Sequence, residues 1–402
     1  MKKAICILLF AIIFCISFYE LNVLAEAKTS LSVQELQDDY DQMWDILYES
    51  YPFLPCTGKS EEELEALRQE KRALIGSKVT DSAGLYLIMQ DICRALGNIA
   101  HLRALGPEEY SSLYYSGLQD QENGINKKDN EIYLDPQTVE TYTQLGFMSI
   151  KPVDTTDLSS VTMDYFPEIQ TAYFRIPTFY SRELYDQGMP IAEFLDNYPD
   201  VENVIFDITG NRGGYGYIWT NHIVSAFSDP VDWQVTSYIR ITDPVAWTYE
   251  GVDVEPVDPE TTDLPDWINT LGMTHQSTQR ISLPYEDYAG KKVDKSVKRW
   301  IVTDENVASS AEVFTRFCKD TGWATIVGTA TKGDGPTSAY SPSPVRLNHT
   351  GLLFWFFVES GVNEDGTLNA LQGTMPDFFS KPNEKPLDAC IRWIKQMNSN
   401  YN

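Results

Sequence analysis

The spacing of apolar positions divides the chain into a helical first part and a second part in which strands and helices alternate. Leu36, Tyr40, Met43 and Leu47 recur at helical intervals behind Ser32-Val33-Gln34-Glu35. A Ser followed three residues later by Glu caps a helix start reciprocally, so a capped helix is predicted here, ended by Pro52 and Pro55. Ser60 to Glu63 repeats the signature before a second, highly charged helix. Asp81 opens a third, with Leu85, Ile88, Ile92 and Leu96 on one face and Gly97 as its stop. Residues 26–110 thus read as an N-terminal helical module. From Leu105 to about Tyr165 the periodicity is weak and turn-rich patches such as Gln121 to Asn130 intervene, so no additional domain is predicted there.

The texture then changes. Thr171–Ile176 and Val204–Ile208 are apolar runs of strand length, and the second leads into Gly210-Asn211-Arg212-Gly213-Gly214. Tyr215–Phe227 follows with helical spacing, its inner face carrying Ile218, Val224 and either His222 or Trp219. Residues 230–295, rich in Asp, Pro and Thr, read as an insertion of strands and loops within a core spanning 111–402. Beyond it, Trp300–Thr303 is a strand, Ala308–Asp320 a helix with Val313, Phe314, Phe317 and Cys318 inward, and Thr325–Val327 and Leu352–Val358 further strands. Such alternation predicts an α/β fold around a mixed or parallel sheet. Ligand sites in these sheets collect where strands end and helices begin. Two junctions qualify: Ile208–Tyr215 and Thr303–Glu312.

Charge and cysteine usage narrow the function. The formal net charge is -27, a surface that repels nucleic acid and anionic lipid and excludes both as partners. Lys2 and Lys3, the apolar run Ala4–Phe18 and the sequence Val23-Leu24-Ala25 read as a cleavable signal peptide over 1–25, with an uncleaved anchor as the alternative. Phe14 before Cys15 argues against a lipoprotein. The body of the protein is therefore expected outside the cytoplasm, secreted or at the cell surface. Of six cysteines, Cys56, Cys93, Cys318 and Cys390 lie outside the leader in a disulfide-permissive setting, and a Cys56–Cys93 bridge is one pairing open to them. Neither a metal nor a cofactor is expected: His-Glu-x-x-His is absent, and Asn363-Glu364-Asp365-Gly366 is too short for a calcium loop.

At the second junction, Asn306-Val307-Ala308-Ser309-Ser310-Ala311-Glu312 places two hydroxyls at a helix start. Unpaired N–H groups and the positive end of the helix dipole suit a nucleophile whose attack creates an oxyanion. A Ser there is equally a plain N-cap. At the first junction Gly213-Gly214 lets backbone N–H groups approach a ligand, or simply makes a tight turn. No Gly-Lys-Ser/Thr follows, which excludes a phosphate-binding loop.

These segments resemble those of the tail-specific (C-terminal processing) serine peptidases. Asn203–Gly214 is similar to the family's strand with Asn-x-Gly-Gly, and Val307–Glu312 to its Ser-x-Ala-Glu nucleophile segment. Thr325–Gly328 with Thr331 and Gly333-Asp334-Gly335 resembles the Val-Gly-x-x-Thr-x-Gly-x-Gly segment. Gly373–Asp377 resembles its Gly-x-x-Pro-Asp, and Tyr173–Phe179 its Tyr-x-x-Ile-x-x-Phe strand. The resemblance implies a Clp protease/crotonase-like core, a peptide or unfolded protein as substrate, Ser309 as nucleophile with Ser310 second, and an oxyanion hole from Gly213, Gly214 and Ser310. Members with a Ser–Lys dyad carry the Lys at the position of Asp334; Lys332, two residues earlier, is the alternative base. The tricorn-like branch takes a His from the end of the helical module, where His101 lies in Leu96–Leu102, without the usual preceding Asp-Gly. His222, His275 and His349 read as structural. The acid that this branch carries before Gly-x-x-Pro-Asp is missing from Asn369-Ala370-Leu371-Gln372, leaving Glu359, Glu364 or Asp365 as substitutes. The resulting expectation is a secreted serine hydrolase acting on peptide bonds, with an esterase as its enzymatic rival. The alternative is a catalytically degenerate relative that binds peptides outside the cytoplasm.

Overall fold

Apolar strands that are buried on both sides send alternate residues to opposite faces, and that rule builds the centre of the molecule. The structure is a computed structural model describing residues 31–125, 127–149, 161–258, 265–285, 288–293, 296–335 and 342–399. The leader expected at 1–25 lies outside them. A six-stranded sheet runs in the order Phe378–Phe379, Thr325–Gly328, Lys298–Thr303, Asn203–Asp207, Thr171–Arg175 and Thr162–Phe166. All neighbours are parallel except the last pair, giving the mixed α/β sheet expected. Val204, Phe206, Ile301 and Ile326 face a core shared with Ala311, Phe314 and Phe317 of the helix Ser310–Thr321. Ile205, Trp300, Val302 and Val327 face the opposite way, onto Ala389, Cys390 and Ile394 of the C-terminal helix Pro386–Ser399.

The N-terminal part forms as its caps predict. Ser32 and Glu35 close one capping box, Ser60 and Glu63 another, and the Asp81 side chain accepts from Gly84 N. The helical segment does not end near residue 110. Pro107–Glu122, Lys128–Tyr133 and Pro136–Gln144 follow as helices, in the stretch whose periodicity is weak. The reason lies in what they bury: Tyr110 and Ser111 from the first, Thr138, Thr141 and Tyr142 from the last. Tyr110 stacks on Tyr142 with ring centroids 4.0 Å apart and meets Phe147 edge-on at 5.0 Å. Amphipathic tyrosines and threonines carry this packing, and they leave no aliphatic stripe in the sequence.

These helices cover a small antiparallel sheet in which Leu353–Phe356 lies between Arg103–Ala104 and Ser343–Arg346. Between the strands Val231–Ile239 and His275–Leu283 lie a 3-10 turn, Ala246–Tyr249, the short strand Glu255–Pro256 and a short helix, Trp267–Thr270. Val231–Ile239 and His275–Leu283 pair along their length in a four-stranded sheet with Glu255–Pro256 and Glu359–Gly361. Trp233 and Val235 join the core under the helix Ser310–Thr321, whereas Ile239, Tyr249 and Ile268 join the N-terminal core. Tyr215–Phe227 is helical only in part: Ile218–Ile223 is π-helical and Val224–Ala226 a tight 3-10 turn, with Trp219 buried and His222 half-buried. The four described cysteines are free thiols, so Cys56 and Cys93 are not bridged. Both serve the N-terminal core as small apolar groups, Cys93 fully buried and Cys56 packed at its edge.

One buried carboxylate ties the first helix to the small sheet. Asp39, fully buried, accepts from His349 N at 2.8 Å and Thr350 N at 2.6 Å. Asp39→Ala leaves both donors unpaired and is expected to cost about 2–4 kcal/mol, read from denaturant midpoints; Asp39→Asn keeps one acceptor oxygen and should cost less.

Candidate active site

The strand Lys298–Thr303 delivers the chain through Asp304–Ala308 to Ser309, the residue before the helix Ser310–Thr321. Ser309 has φ 58° and ψ -131°, a conformation that costs a residue with a Cβ about 1–3 kcal/mol. Its side chain makes no cap hydrogen bond, so the ordinary reason for a Ser at a helix start does not apply. Neighbouring loops impose the conformation: Ser309 N donates to Gly333 O at 3.2 Å, and Ala308 N donates to Asn211 O at 3.2 Å. The Ser310 hydroxyl, by contrast, is buried beside Gly216 with no hydrogen-bond partner.

The glycine pair comes up against this turn. A Cβ on Gly213 would lie 2.7 Å from Ser309 Cβ and 2.8 Å from Ser310 N. On Gly214 it would collide with the backbone of Phe179 and Tyr180. Both have positive φ, 96° and 129°. The expected oxyanion hole needs one correction. Gly213 N donates to Asn211 Oδ1 at 2.8 Å, so that N–H is already committed, and what Gly213 supplies is clearance. Among the described residues the Gly214 and Ser310 N–H groups make no hydrogen bond, leaving them as the available donors.

His101 comes from the loop after the helix Ser82–Ala95. Asn98, Ala100 and His101 all have positive φ (51°, 50° and 59°), a run of strained residues held by outside contacts. Ala100 N donates to Asp334 Oδ1 at 2.8 Å, Phe357 N donates to Ala100 O at 2.8 Å, and Tyr51 Oη donates to Ile99 O at 2.9 Å. The His101 side chain is 14% exposed and the Asp334 side chain 3%, with His101 Nδ1 3.7 Å from Asp334 Oδ2. The imidazole meets the Phe357 ring edge-on at 5.1 Å. Burial pushes its pKa down to about 4, against the pull of the Asp334 charge and with help from Arg103 and Lys332. It is therefore neutral at neutral pH, the state in which it can accept a proton.

Asp334 belongs to the loop that meets the Ser309 turn. Gly333 O accepts from Ser309 N, and the Cα of Gly335 points toward Ser309 O, which a Cβ there would approach to 3.2 Å. Lys332 is half exposed, its ammonium 3.4 Å from Asp334 Oδ2, so it is ion-paired with the acid. The other histidines are engaged elsewhere: His222 Nε2 with Tyr185 O, His275 Nδ1 with Thr274 Oγ1, and His349 beside Glu35 and Asp38. The substitute acids are not beside the imidazole either. Glu359 is buried accepting from Ser237 and Tyr249, Asp365 closes the turn of Thr367, and Glu364 lines a surface cavity beside Arg316. The carboxylate next to His101 is Asp334, at the position whose identity departs from the Ser–Lys pattern. That departure was its signal.

A buried network supports the Asp334 loop. Glu312, fully buried, accepts at Oε1 from Asn369 Nδ2 (2.6 Å) and Thr374 Oγ1 (2.5 Å), and Asn369 Oδ1 accepts from Gly335 N at 3.1 Å. Burial pushes Glu312 up to about 7. On the other side of the glycine pair stands a ledge of tyrosines. Tyr180 stacks on Tyr215 at 5.2 Å, Tyr185 meets Tyr215 edge-on at 5.2 Å, and Tyr217 lies 4.9 Å from Tyr185. Tyr180 is 49% and Tyr217 43% exposed. Phe179 N donates to Gly213 O and Tyr215 N to Phe179 O, which fixes the ledge to the glycine loop. Among the described residues, no three His, Cys, Asp or Glu side chains converge as a metal site.

The model of peptidase family S41 matches residues 170–378, more than half of the chain. No curated protein matches the sequence. Among solved structures, a candidate peptidase from Parabacteroides merdae superposes with a TM-score of 0.53 at 13% identity, over 89% of this chain and 96% of its own. At that identity the likeness is one of fold. A lipoprotein from Streptococcus agalactiae gives 0.48 at 13% identity, covering 91% of this chain and 96% of its own. The photosystem II D1 C-terminal processing protease gives 0.43 at 15% identity, covering 87% and 94%.

The Glu312 network makes a prediction whose sign can be worked out. A carboxyl raised in the folded state stabilises fully below its unfolded pKa and loses that contribution as pH rises through the folded value, here from about 4.5 through about 7. Glu312→Gln removes the titration while keeping an acceptor oxygen. Its melting temperature relative to wild type should therefore climb between pH 5 and pH 8; Glu312→Ala, which also loses the acceptor oxygen and leaves a cavity, should show the same climb while lying about 2–4 kcal/mol below Glu312→Gln at every pH in thermal melts.

Proposed function

The chain belongs to peptidase family S41, and from that premise we propose that it is a serine peptidase of the Ser–His kind, acting outside the cytoplasm on peptides or unfolded polypeptide. The observation that carries the reading is Ser309: a helix-start hydroxyl held at positive φ, released from capping, against a glycine that leaves no room for a Cβ. In this mechanism Ser309 Oγ attacks the scissile carbonyl carbon while His101 takes its proton. The carbonyl electrons move onto oxygen, and the Gly214 and Ser310 N–H groups receive that oxyanion. Collapse expels the amine, which leaves with the proton from His101 and forms an acyl-enzyme. Water, deprotonated by the same imidazole, then releases the acid and restores Ser309.

The tyrosine ledge supports an assignment of substrate class. It lies beside the glycine loop, presents flat aromatic faces and carries no formal charge, so it fits a bulky apolar side chain next to the scissile bond. An extracytoplasmic site is supported by the leader-like first residues. Among the described residues no helix is long and apolar enough to cross a membrane.

Two measurements test the reading. On a reduced, carboxymethylated protein substrate, Ser309→Ala should lose at least about 10³-fold in kcat/KM. Equal activity in the two proteins would end the nucleophile assignment, and no turnover by either, with peptide binding intact in both, would favour the non-catalytic binding protein. Tyr180→Ala should raise KM about 5- to 20-fold for peptides with Phe or Leu beside the cleaved bond and leave Gly- or Ala-containing peptides unaffected, since burying a large apolar side chain is worth about 1.5–3 kcal/mol. An equal rise for both peptide sets would remove the ledge from substrate recognition.

A further inference from the structure

We propose that Asp334 is the positioning acid of this site: it orients the His101 imidazole for proton transfer with Ser309, so that the loop position where Ser–Lys members carry the base here carries the base's partner. The inference rests on the Ser309–His101 reading and deepens it.

Four observations carry it. The first is the double attachment of Asp334 to the His101 loop. Oδ1 accepts from the backbone N–H of Ala100 at 2.8 Å, and Oδ2 stands 3.7 Å from His101 Nδ1. One carboxylate thus sets both the backbone that bears the imidazole and the side of the ring that faces it. Second, His101 Nδ1 is buried and makes no hydrogen bond. A ring nitrogen shut away from water needs a partner. Closing the gap to an ordinary N–H···O distance takes about 0.8 Å, the kind of tightening that substrate binding brings. Third, a proton held on Nδ1 by the acid leaves Nε2 as the lone-pair nitrogen, the tautomer a general base requires.

The fourth observation is conformational. Asp334 has φ 64°, and Gly333 before it has no space for a Cβ against Asn369 O. The turn is clamped at both ends, by Ser309 N on Gly333 O and by Gly335 N on Asn369 Oδ1. An aspartate tolerates that region as turn residues do, but a loop that needs only to turn has no reason to bury its carboxylate and direct it at an imidazole. Lys332 does not displace it as the catalytic group, since its half-exposed ammonium lies on the same Oδ2. The charges facing the imidazole are Asp334, Lys332 and Arg103, and Asp334 is the sole anion among them.

The test compares wild type with Asp334→Asn, Asp334→Glu, Lys332→Met and Ser309→Ala, measuring kcat and KM from pH 3.5 to 9 on one peptide substrate, with thermal melts as the control for folding. Asp334→Asn keeps the size of the side chain and an acceptor for Ala100 N but loses the charge and can present the wrong hydrogen-bonding group to Nδ1. It should lower kcat about 10²- to 10⁴-fold with KM within about threefold. The anion stabilises the imidazolium, so its removal must also move the acid limb of kcat/KM to lower pH. Asp334→Glu should recover part of kcat and return the limb toward wild type. A merely structural Asp334 would lower activity in step with melting temperature and leave the limb in place, and that result overturns the proposal. So does a loss in Lys332→Met as large as in Ser309→Ala, which would give the base to Lys332. If Ser309→Ala stays active, the parent reading fails instead, and the two failures are thereby told apart.

Discussion

Gly213 and Ser309 approach so closely that no side chain fits at position 213. A Cβ on the glycine would collide with Ser309 Cβ and Ser310 N, and this absence of a side chain lets the Ser309 turn lie against the neighbouring strand's loop. Once the two backbones are in contact, the exchange of hydrogen bonds among three loops follows: Ala308 N to Asn211 O, Ser309 N to Gly333 O, Lys332 N to Val307 O. Together these bonds hold Ser309 at positive φ, off the capping role that a relaxed serine would take. The strain at one residue is therefore set against contacts from two others, the arrangement expected where geometry serves chemistry rather than stability.

The second half of the site arrives from a different part of the chain. The His101 loop belongs to the helical module, yet its Ala100 is bonded on one side to Asp334 and on the other to Phe357. Asp334 thus contacts the helical module through its side chain while its flanking glycines contact the Ser309 turn and the Glu312–Asn369 network. Packing of the helical module on the small sheet, secured by Asp39 at the His349–Thr350 turn, is a condition for His101 to stand where it does. Stability of the module and the placement of His101 are one requirement.

Much of this was legible in the sequence, and the rest was not for identifiable reasons. The capping boxes at Ser32 and Ser60, the apolar strand runs around Val204 and Trp300, and the amphipathic helix after Ser309 are local signals, written in residues no more than four apart, and each forms as read. The helices between Pro107 and Gln144 were illegible because their inward faces are tyrosine and threonine, which periodicity scored on aliphatic residues passes over. The meeting of Asp334 with His101 was illegible for a different reason. Asp334 and His101 are 233 positions apart in the chain, and local patterning carries no information on which loops meet. Reading the acid by its place before Gly373 led toward Glu359, Glu364 and Asp365, while the carboxylate beside the imidazole stood where a lysine was sought. The commitment of the Gly213 N–H to Asn211 Oδ1 was hidden likewise, since an Asn two residues before a glycine reads as turn chemistry whichever way its amide points.

The most direct measurement of the central claim is the site of covalent capture. Treating the folded protein with a fluorophosphonate and mapping the adduct by peptide mass spectrometry should find one modification, on Ser309, abolished by prior unfolding. An adduct on Ser310 or elsewhere, or no adduct on a protein that cleaves peptides, would contradict the account.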